Sequence, residues 1–117
     1  GEGDKAAPLG EVRIDVDPAT RSCHVVWRNK EVTPVSATPK LSLGSGLIYF
    51  YSRDRKSALR RWQWYVGGVD FDTGKVTYRA NTGKGLLYDN FWGTLSPAPN
   101  RSIAVGALQG MMTISDK

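Results

Sequence analysis

The sequence predicts an all-β protein made of short antiparallel strands, and three observations lead to this fold class. Apolar residues at Val12, Ile14 and Val16 alternate with charged ones, which is the period-two pattern of a half-buried strand. Residues 47–51 form a continuous apolar run, which is typical of a strand covered on both faces. The 117 residues include 13 glycines and 6 prolines, and this supply of turn formers favours many short strands.

The same patterns place nine strands along the chain. Pro34 and Pro39 lack a backbone N–H, so the third strand is predicted to be a short edge strand. Two consecutive glycines, Gly67 and Gly68, are expected to weaken the fifth strand. The predicted ranges are 12–17, 23–28, 40–43, 47–51, 62–70, 76–79, 91–96, 103–107 and 111–114.

Turn-forming residues separate these strands. Residues 18–22 and 97–100 are predicted turns, and residues 72–74 (Asp-Thr-Gly) form a predicted hairpin turn. In that hairpin Gly74 supplies the positive φ that a tight turn needs. Residues 52–61 are predicted to be a basic, irregular loop.

Charge and composition describe an ordinary globular domain. The net charge of +5 weakly favours anionic partners, and the one cysteine cannot form an intrachain disulfide. No apolar run reaches 18 residues, so no span of a membrane is predicted. Residues 1–11 are predicted to be a flexible polar arm ahead of a single domain over 12–117. The arm lacks a signal peptide's apolar core, and the compartment stays open, with a secreted or periplasmic location favoured.

Two parts of the chain resemble each other. Trp27 and Tyr78 are equivalent in this match, and their spacing suits a β-propeller blade with a long loop. A twisted four-stranded sheet cannot bury both faces alone, whereas sheets stacked around an axis can. The matching segments are 14–17 with 25–28, and 69–72 with 76–79.

The segment 69–83, VDFDTGKVTYRANTG, resembles the docking motif of quinoprotein-like β-propellers. The motif runs apolar-Asp-x-x-Thr-Gly-Lys-x-x-aromatic, and its usual tryptophan is Tyr78 here and Trp27 in the earlier copy. The resemblance implies that the aromatic ring packs between neighbouring blades and that Thr-Gly forms the hairpin between the two outer strands. The implied docking residues are Trp27, Asp70, Thr73, Gly74 and Tyr78.

The resemblance implies a partial β-propeller of about two to two-and-a-half four-stranded antiparallel blades. The blade parts are 12–32, 33–82 and 83–117, which supply two outer strands, a whole blade and three inner strands. Because natural propellers have about four to eight blades, another polypeptide chain or a missing segment is expected to complete the ring. The chain is then the C-terminal part of a larger cleaved or split propeller.

The sequence contains no recognisable catalytic or metal-binding motif, and no cofactor is predicted. Cys23 and His24 are adjacent on a predicted strand and point to opposite faces, so they cannot act as a thiol–imidazole pair. A zinc site needs more Cys and His than the single copy of each. Four aspartates lack the spacing of a calcium loop and are predicted instead to accept hydrogen bonds from turn amides. These are Asp15, Asp17, Asp70 and Asp72.

A basic loop combines cations with aromatic rings, a mixture that nucleic-acid-binding proteins use. Its residues are Arg53, Arg55, Lys56, Arg60 and Arg61, followed by Trp62 and Trp64. The modest net charge does not favour nucleic acid, and an acidic protein surface is the better-matched partner.

The remaining candidates come from the propeller geometry, in which ligands meet the inner strands and the loops at the channel mouth. A small polar organic ligand is predicted there. The alternative is that Trp92 packs between blades and that Asp89 and Asn90 form a turn. The channel candidates are Lys40, Ser42, Tyr88, Asp89, Asn90, Trp92 and Thr94.

Two functions stay open. The first is a ligand- or protein-binding scaffold without catalysis of its own. The second is part of an enzyme, a hydrolase, a lyase or a quinone-type oxidoreductase, whose active site lies in a channel shared with the partner chain. Alcohol-oxidising quinoproteins have an adjacent cysteine pair and a calcium-ligand set that this sequence lacks, and fold likeness alone does not assign chemistry.

Overall fold

A computed structural model describes residues 10–35, 37–54 and 61–115 of the 117-residue chain. It confirms the all-β fold class and the antiparallel pairing of the strands. A short 3-10 turn, Leu86–Tyr88, lies among the strands. The strands are β1 (Glu11–Asp17), β2 (Ser22–Asn29), β3 (Lys40–Ser42), β4 (Leu47–Arg53), β5 (Gln63–Asp70), β6 (Val76–Lys84), β7 (Leu95–Ala98), β8 (Ser102–Ala107) and β9 (Gly110–Ser115).

The strands form three separate sheets, which we call sheets A, B and C. Sheet A consists of β1 and β2, sheet B of β3 to β6, and sheet C of β7 to β9. Within each sheet the strands are paired in chain order, so every backbone ladder joins consecutive strands. The contacts between sheets therefore come from side chains and turns.

Sheet B lies between the other two sheets and is covered on both faces. Adjacent residues of a strand point to opposite faces, and Phe50 and Tyr51 of β4 are both buried. Phe50 packs in a cluster with Val69, and Trp27 of sheet A packs against this cluster. Tyr51 packs on the other face in a cluster that includes Val105 of sheet C. The order of stacking is therefore A, B, C.

Aromatic side chains with satisfied polar groups fill the space between sheets B and C. The rings of Tyr51 and Trp64 are stacked, with centroids 5.4 Å apart. The indole N–H of Trp64 donates to the carbonyl of Gly85 at 2.7 Å, and the Tyr51 hydroxyl donates to the carbonyl of Tyr88 at 2.8 Å. Burial raises the pKa of Tyr51 to about 12, so the hydroxyl remains a donor at neutral pH.

The two glycines of β5 make close packing possible, whereas the sequence analysis expected them to weaken the strand. A Cβ on Gly67 would lie 2.3 Å from the ring of Phe50, which sits directly over the glycine backbone. Gly68 is also buried, and β5 is paired along its length with both β4 and β6. The missing side chains are therefore replaced by an aromatic ring from the neighbouring strand.

The seventh strand begins later than predicted. Phe91 and Trp92 have φ values of 41° and 69°, a left-handed conformation that is incompatible with an extended strand. β7 instead begins at Leu95 and continues through Pro97, which had been assigned to a turn. The turn that follows occupies residues 99–101.

Sheet A turns its polar side toward sheet B and its apolar side toward solvent. Arg13 is half-buried against sheet B, whereas Ile14 and Val16 are 52% and 70% exposed. Residues directly opposite each other in an antiparallel pair share a face, so Val25, which pairs with Ile14, belongs to the same side. We call this side the outer face of sheet A. Its members are Val12, Ile14, Val16, Cys23 and Val25, together with one cation, Arg28, which pairs with Val12.

The Phe50–Gly67 contact gives a test of the central sheet. Gly67→Ala is expected to lower the free energy of unfolding by about 1–3 kcal/mol, because the new methyl group overlaps the Phe50 ring in a packed core. Gly44→Ala is the matched control, since a Cβ there meets nothing within 4 Å. Urea unfolding followed by tryptophan fluorescence measures both. Equal midpoints for the two variants would contradict the packing described here.

Candidate functional site

Trp27 of β2 packs on the hairpin turn between β5 and β6 and joins sheet A to sheet B. A Cβ on Gly74 would lie 2.5 Å from the indole, so only glycine leaves room for the ring. Gly74 also has φ 69°, which a glycine adopts without strain. The indole N–H donates to the carbonyl of Phe71 at 2.8 Å. The ring is thus held by close packing and by a directional bond to the same turn.

Two neighbours of Trp27 hold the same turn. The side-chain amide of Asn29 donates to the carbonyl of Gly74 at 2.7 Å. The guanidinium of Arg13 lies 3.8 Å from the centroid of the Phe71 ring and donates to the Phe71 carbonyl at 3.0 Å. Arg13 also pairs with Asp15 at 2.8 Å, and this hydrogen bond lowers the pKa of Asp15. Three side chains of sheet A, Arg13, Trp27 and Asn29, therefore donate hydrogen bonds to carbonyls of this turn.

The turn itself is shaped by Asp70, at the end of β5. One carboxylate oxygen accepts hydrogen bonds from the hydroxyl and the backbone N–H of Thr73, each at 2.8 Å, and from the N–H of Asp72 at 3.1 Å. These bonds, that of the Thr73 hydroxyl above all, lower the pKa of Asp70. The N–H of Gly74 bonds back to the Asp70 carbonyl at 2.8 Å. The shape of the turn is thus fixed by hydrogen bonds within the turn itself.

Two of the four aspartates have the turn role that the sequence predicted. Asp70 has it, and Asp17 accepts the N–H of Ala19 at 2.9 Å in the turn between β1 and β2. Asp15 and Asp72 differ, because both contact the guanidinium of Arg13 instead. The Arg13–Asp72 pair is long, at 3.4 Å, and solvent-exposed, so it adds little stability.

Tyr78 lies on the opposite side of sheet B from Trp27. Its ring meets Tyr49 edge-on, with centroids 6.0 Å apart, and packs against the cluster between sheets B and C. It borders a groove of about 630 Å³, which we call the Tyr78 groove. Residues lining this groove include Ser42, Tyr49, Tyr78, Arg101, Ile103 and Ile114. Of the predicted docking residues, the structure brings four together at the boundary of sheets A and B, and Tyr78 stands apart from them.

Asp89 and Asn90, two of the channel candidates, are buried parts of a turn. A carboxylate oxygen of Asp89 accepts the N–H of Phe91 at 3.0 Å. The amide of Asn90 donates to the carbonyl of Gly106 at 2.7 Å. Both side chains therefore hold the loop before β7, as the turn alternative expected.

The other channel candidates are dispersed. Ser42 lines the Tyr78 groove, while Lys40 points to solvent at the start of β3. Tyr88 packs against the cluster between sheets B and C. Trp92 is 75% exposed, and Thr94 shares a hydrogen bond with a neighbouring serine at 3.1 Å. The structure does not gather these side chains into one site, and a ligand-binding role for them stays a prediction.

Side chains with catalytic chemistry do not converge either. Cys23 and His24 lie on opposite faces of β2, facing Val16 and Asp15 of β1 respectively. Across residues 10–35, 37–54 and 61–115, no group of three or more His, Cys, Asp or Glu is placed to hold a metal ion.

The basic loop is partly folded into the protein. Arg53 belongs to β4, and its guanidinium lies 3.4 Å from the centroid of the Trp62 ring and 5.6 Å from that of Trp64. This cation is buried against aromatic rings rather than presented to solvent. Residues 55–60, which carry the other cations except Arg61, lie outside the described residues.

Membrane crossing by a helix was not expected from the sequence. In the described part of the chain, no helix has the length and apolar character that a crossing requires.

Glu11, at the start of β1, is a buried carboxylate without a partner. Neither of its oxygens reaches a hydrogen-bond donor. Burial raises the pKa of Glu11 to about 7, because desolvation penalises the charged form. The group therefore titrates near neutral pH.

Sequence reasoning missed Arg13, Asn29 and Glu11. Arg13 is directly opposite Trp27 across the hairpin, and this register would have identified it as a neighbour of the docking ring. A register shift next to Arg13 hides the relation in the sequence. No sequence signal marks Glu11, because a charged residue at the start of a strand is ordinarily exposed.

Comparison with protein-family models, with curated proteins and with solved structures finds no match to this chain. The similarity of residues 69–83 to the docking motif of quinoprotein-like propellers therefore rests on the sequence motif alone.

The Trp27 contact predicts a graded loss of stability. Trp27→Ala is expected to lower the free energy of unfolding by about 3 kcal/mol, because a large side chain is removed from a packed contact. Trp27→Phe keeps an aromatic ring and loses the bond to the Phe71 carbonyl, which costs about 1 kcal/mol. Leu43→Ala, at a position 89% exposed, is the control. Urea unfolding checks the order, and a harmless Trp27→Ala would contradict it.

Glu11 predicts a specific dependence of stability on pH. Its pKa is raised from 4.5 to about 7 in the folded chain, so the folded state holds the proton more tightly than the unfolded state. The free energy of unfolding should therefore fall as the pH rises from 4.5 to 7. Glu11→Gln should remove this fall and stabilise the protein above pH 7 by about 1–2 kcal/mol, a figure reduced for partial solvent access.

Thermal unfolding from pH 4.5 to 8, compared with the exposed-site control Glu31→Gln, measures the effect. Parallel pH profiles for the wild type and Glu11→Gln would rule out this role of Glu11.

Proposed function

We propose that this chain supplies three stacked sheets to a larger β-propeller and acts as a protein-binding scaffold, with another polypeptide completing the ring. The observation that carries the proposal is the outer face of sheet A, which presents apolar side chains to solvent. A soluble sheet with one free face normally buries its apolar side and exposes its polar side. Sheet A packs Trp27 of one face on sheet B and still exposes four aliphatic side chains on its outer face, as expected of a sheet covered on both sides in its working state.

The partner that fits this face is another apolar β-sheet surface. Its β-branched residues protrude in the regular rows that pack against a second sheet about 10 Å away. Apolar patches of this kind on soluble proteins mark sites of protein–protein contact. An acidic ligand or a nucleic acid offers no comparable surface to Val12, Ile14 and Val16.

The stacking of the three sheets supports a propeller as the architecture. Each sheet is a consecutive antiparallel meander, and sheets A and B are joined by a side chain and a turn rather than by a shared ladder. Propellers repeat this relation around an axis, which protects the sheet faces from solvent. The resemblance of residues 69–83 to the quinoprotein-like docking motif agrees with the contact between Trp27 and Gly74.

The first experiment is intact mass spectrometry with light scattering on the natively purified protein. The proposal expects a second polypeptide in fixed ratio with this 12.9 kDa chain. A monodisperse, cooperatively folded monomer would overturn the proposal. An assembly made only of this chain would overturn the part that names another polypeptide.

Substitutions on the outer face of sheet A locate the interface. Ile14→Asp or Val16→Asp should weaken partner binding at least tenfold, because a charge would be buried in the contact without a counter-ion. Leu43→Asp introduces the same charge at an exposed apolar residue away from this face and should bind normally. Size-exclusion chromatography with light scattering measures the complex, and circular dichroism confirms that each variant is folded.

A further inference from the structure

Sheet C repeats the part of sheet B on which Trp27 packs. In sheet B the second residue of β4, Ile48, pairs with Val69, the next-to-last residue of β5. In sheet C the second residue of β8, Ile103, pairs with Ile114, the next-to-last residue of β9. Corresponding apolar pairs therefore stand at corresponding places in the two sheets.

An aromatic ring from the preceding sheet packs against the apolar cluster to which each pair belongs. Trp27 of sheet A packs against the cluster that contains Ile48 and Val69. Tyr78 of sheet B packs against the cluster that contains Ile103 and Ile114. Tyr78 therefore occupies the position relative to sheet C that Trp27 occupies relative to sheet B. The two residues are also equivalent in the match between segments 14–28 and 69–79.

The backbone before the second strand repeats as well. Gly46 precedes β4 with φ 67°, and its carbonyl accepts the N–H of Phe71 at 2.9 Å, which anchors the β5–β6 turn. Arg101 precedes β8 with φ 59°, a conformation that is uncommon for a residue with a side chain. Arg101 therefore shares the positive φ of Gly46, at the cost of some backbone strain.

Sheet C differs in having no fourth strand and no turn among the described residues. β9 pairs with β8 alone, whereas β5 pairs with both β4 and β6. Where sheet B has the turn from Asp70 to Lys75 beside Trp27, sheet C has the Tyr78 groove of about 630 Å³. The ends of β8 and β9, including Arg101 and Ser115, line that groove.

Building on the proposed function, we infer that the Tyr78 groove and the free edge of β9 bind one β-strand of the partner polypeptide. A turn that contains a glycine precedes this strand and lies in the groove. The strand adds to β9 through backbone hydrogen bonds, as in β-augmentation. The turn places a glycine of positive φ beneath the Tyr78 ring. The reason is the equivalent contact in sheet B, where only a glycine at position 74 leaves room for the Trp27 ring. A turn N–H bonds to the Arg101 carbonyl, and the Arg101 side chain at the groove suits an acidic turn such as Asp-x-Asp.

The chain contains a probe for this site, because the segment that completes sheet B has the required features. A copy of residues 70–84 joined after Ile114, in place of residues 115–117, brings the turn and strand to the groove at an effective concentration of about a millimolar or more. Hydrogen exchange of the β9 backbone amides reports docking. The graft should slow exchange of the outward-facing β9 amides at least tenfold.

Two matched controls keep the result specific. A graft with Gly74→Val in the copied segment should give no protection, because the valine side chain collides with Tyr78. Tyr78→Ala in the host strand should reduce protection by the intact graft, whereas Thr77→Ala, an exposed neighbour on the same strand, should not. Exchange of β4 amides verifies that sheet B is unchanged in each variant. Equal protection by the Gly74 and Val grafts, or none from either, would overturn the inference.

Competition then identifies the occupant. A docked graft should weaken binding of the natural partner at least tenfold, because it fills the place of the partner's strand. Undiminished partner binding beside a docked graft would overturn the inference while leaving the proposed function intact. Failure of the proposed function is seen separately, as the absence of any partner chain in light scattering.

Discussion

The structure depends on one constraint, which is that sheet B has two apolar faces and neither can remain in water. Neighbouring residues of β4 and β5, such as Phe50 with Tyr51 and Trp64 with Tyr65, point to opposite sides and are all buried. Each buried aromatic side chain contributes about 2–3 kcal/mol through the area it removes from water. A single sheet obtains this stabilisation only when a layer covers each face, so sheets A and C are required for sheet B to exist as it does.

The cover on the side of sheet A is small in area and relies on precise turn chemistry. Asp70 fixes the turn through the Thr73 hydroxyl and the turn amides, and Gly74 then presents a surface without a side chain. Trp27 uses that surface for packing and the Phe71 carbonyl for a hydrogen bond. Trp27 therefore supplies both the packing contact and the hydrogen bond that orients it. This explains how a sheet of only β1 and β2 can be positioned against its neighbour.

Strand existence and type followed from the sequence wherever a local pattern determined them. The alternation at β1, the apolar run at β4 and the Asp-x-x-Thr-Gly turn after β5 are local, and each was located correctly. The prediction was wrong at Phe91 and Trp92, because aromatic residues favour strands while the left-handed backbone there is fixed by the buried Asp89 and Asn90.

The candidate site shows the same division between local and tertiary information. Trp27 and the turn from Asp70 to Gly74 were found from a motif. Arg13 joins them through a hairpin register that includes a bulge, and the burial of Glu11 has no signal in the local sequence. The channel candidates were placed by analogy with a complete ring, and within this chain the turn bonds of Asp89 and Asn90 have a clear structural purpose without a ligand.

The two surfaces proposed to bind the partner lie at different places in the stack, and this arrangement bears on how a partner binds. The outer face of sheet A is at one end, whereas the Tyr78 groove lies between sheets B and C beside the free edge of β9. On the proposed function a single partner that closes the ring meets both ends at once. Binding at the first end then raises the effective concentration at the second, so two individually weak contacts give a tight complex. The two contacts have complementary roles. The strand added through backbone hydrogen bonds fixes the register of the partner, and the contact with the apolar face supplies most of the buried area.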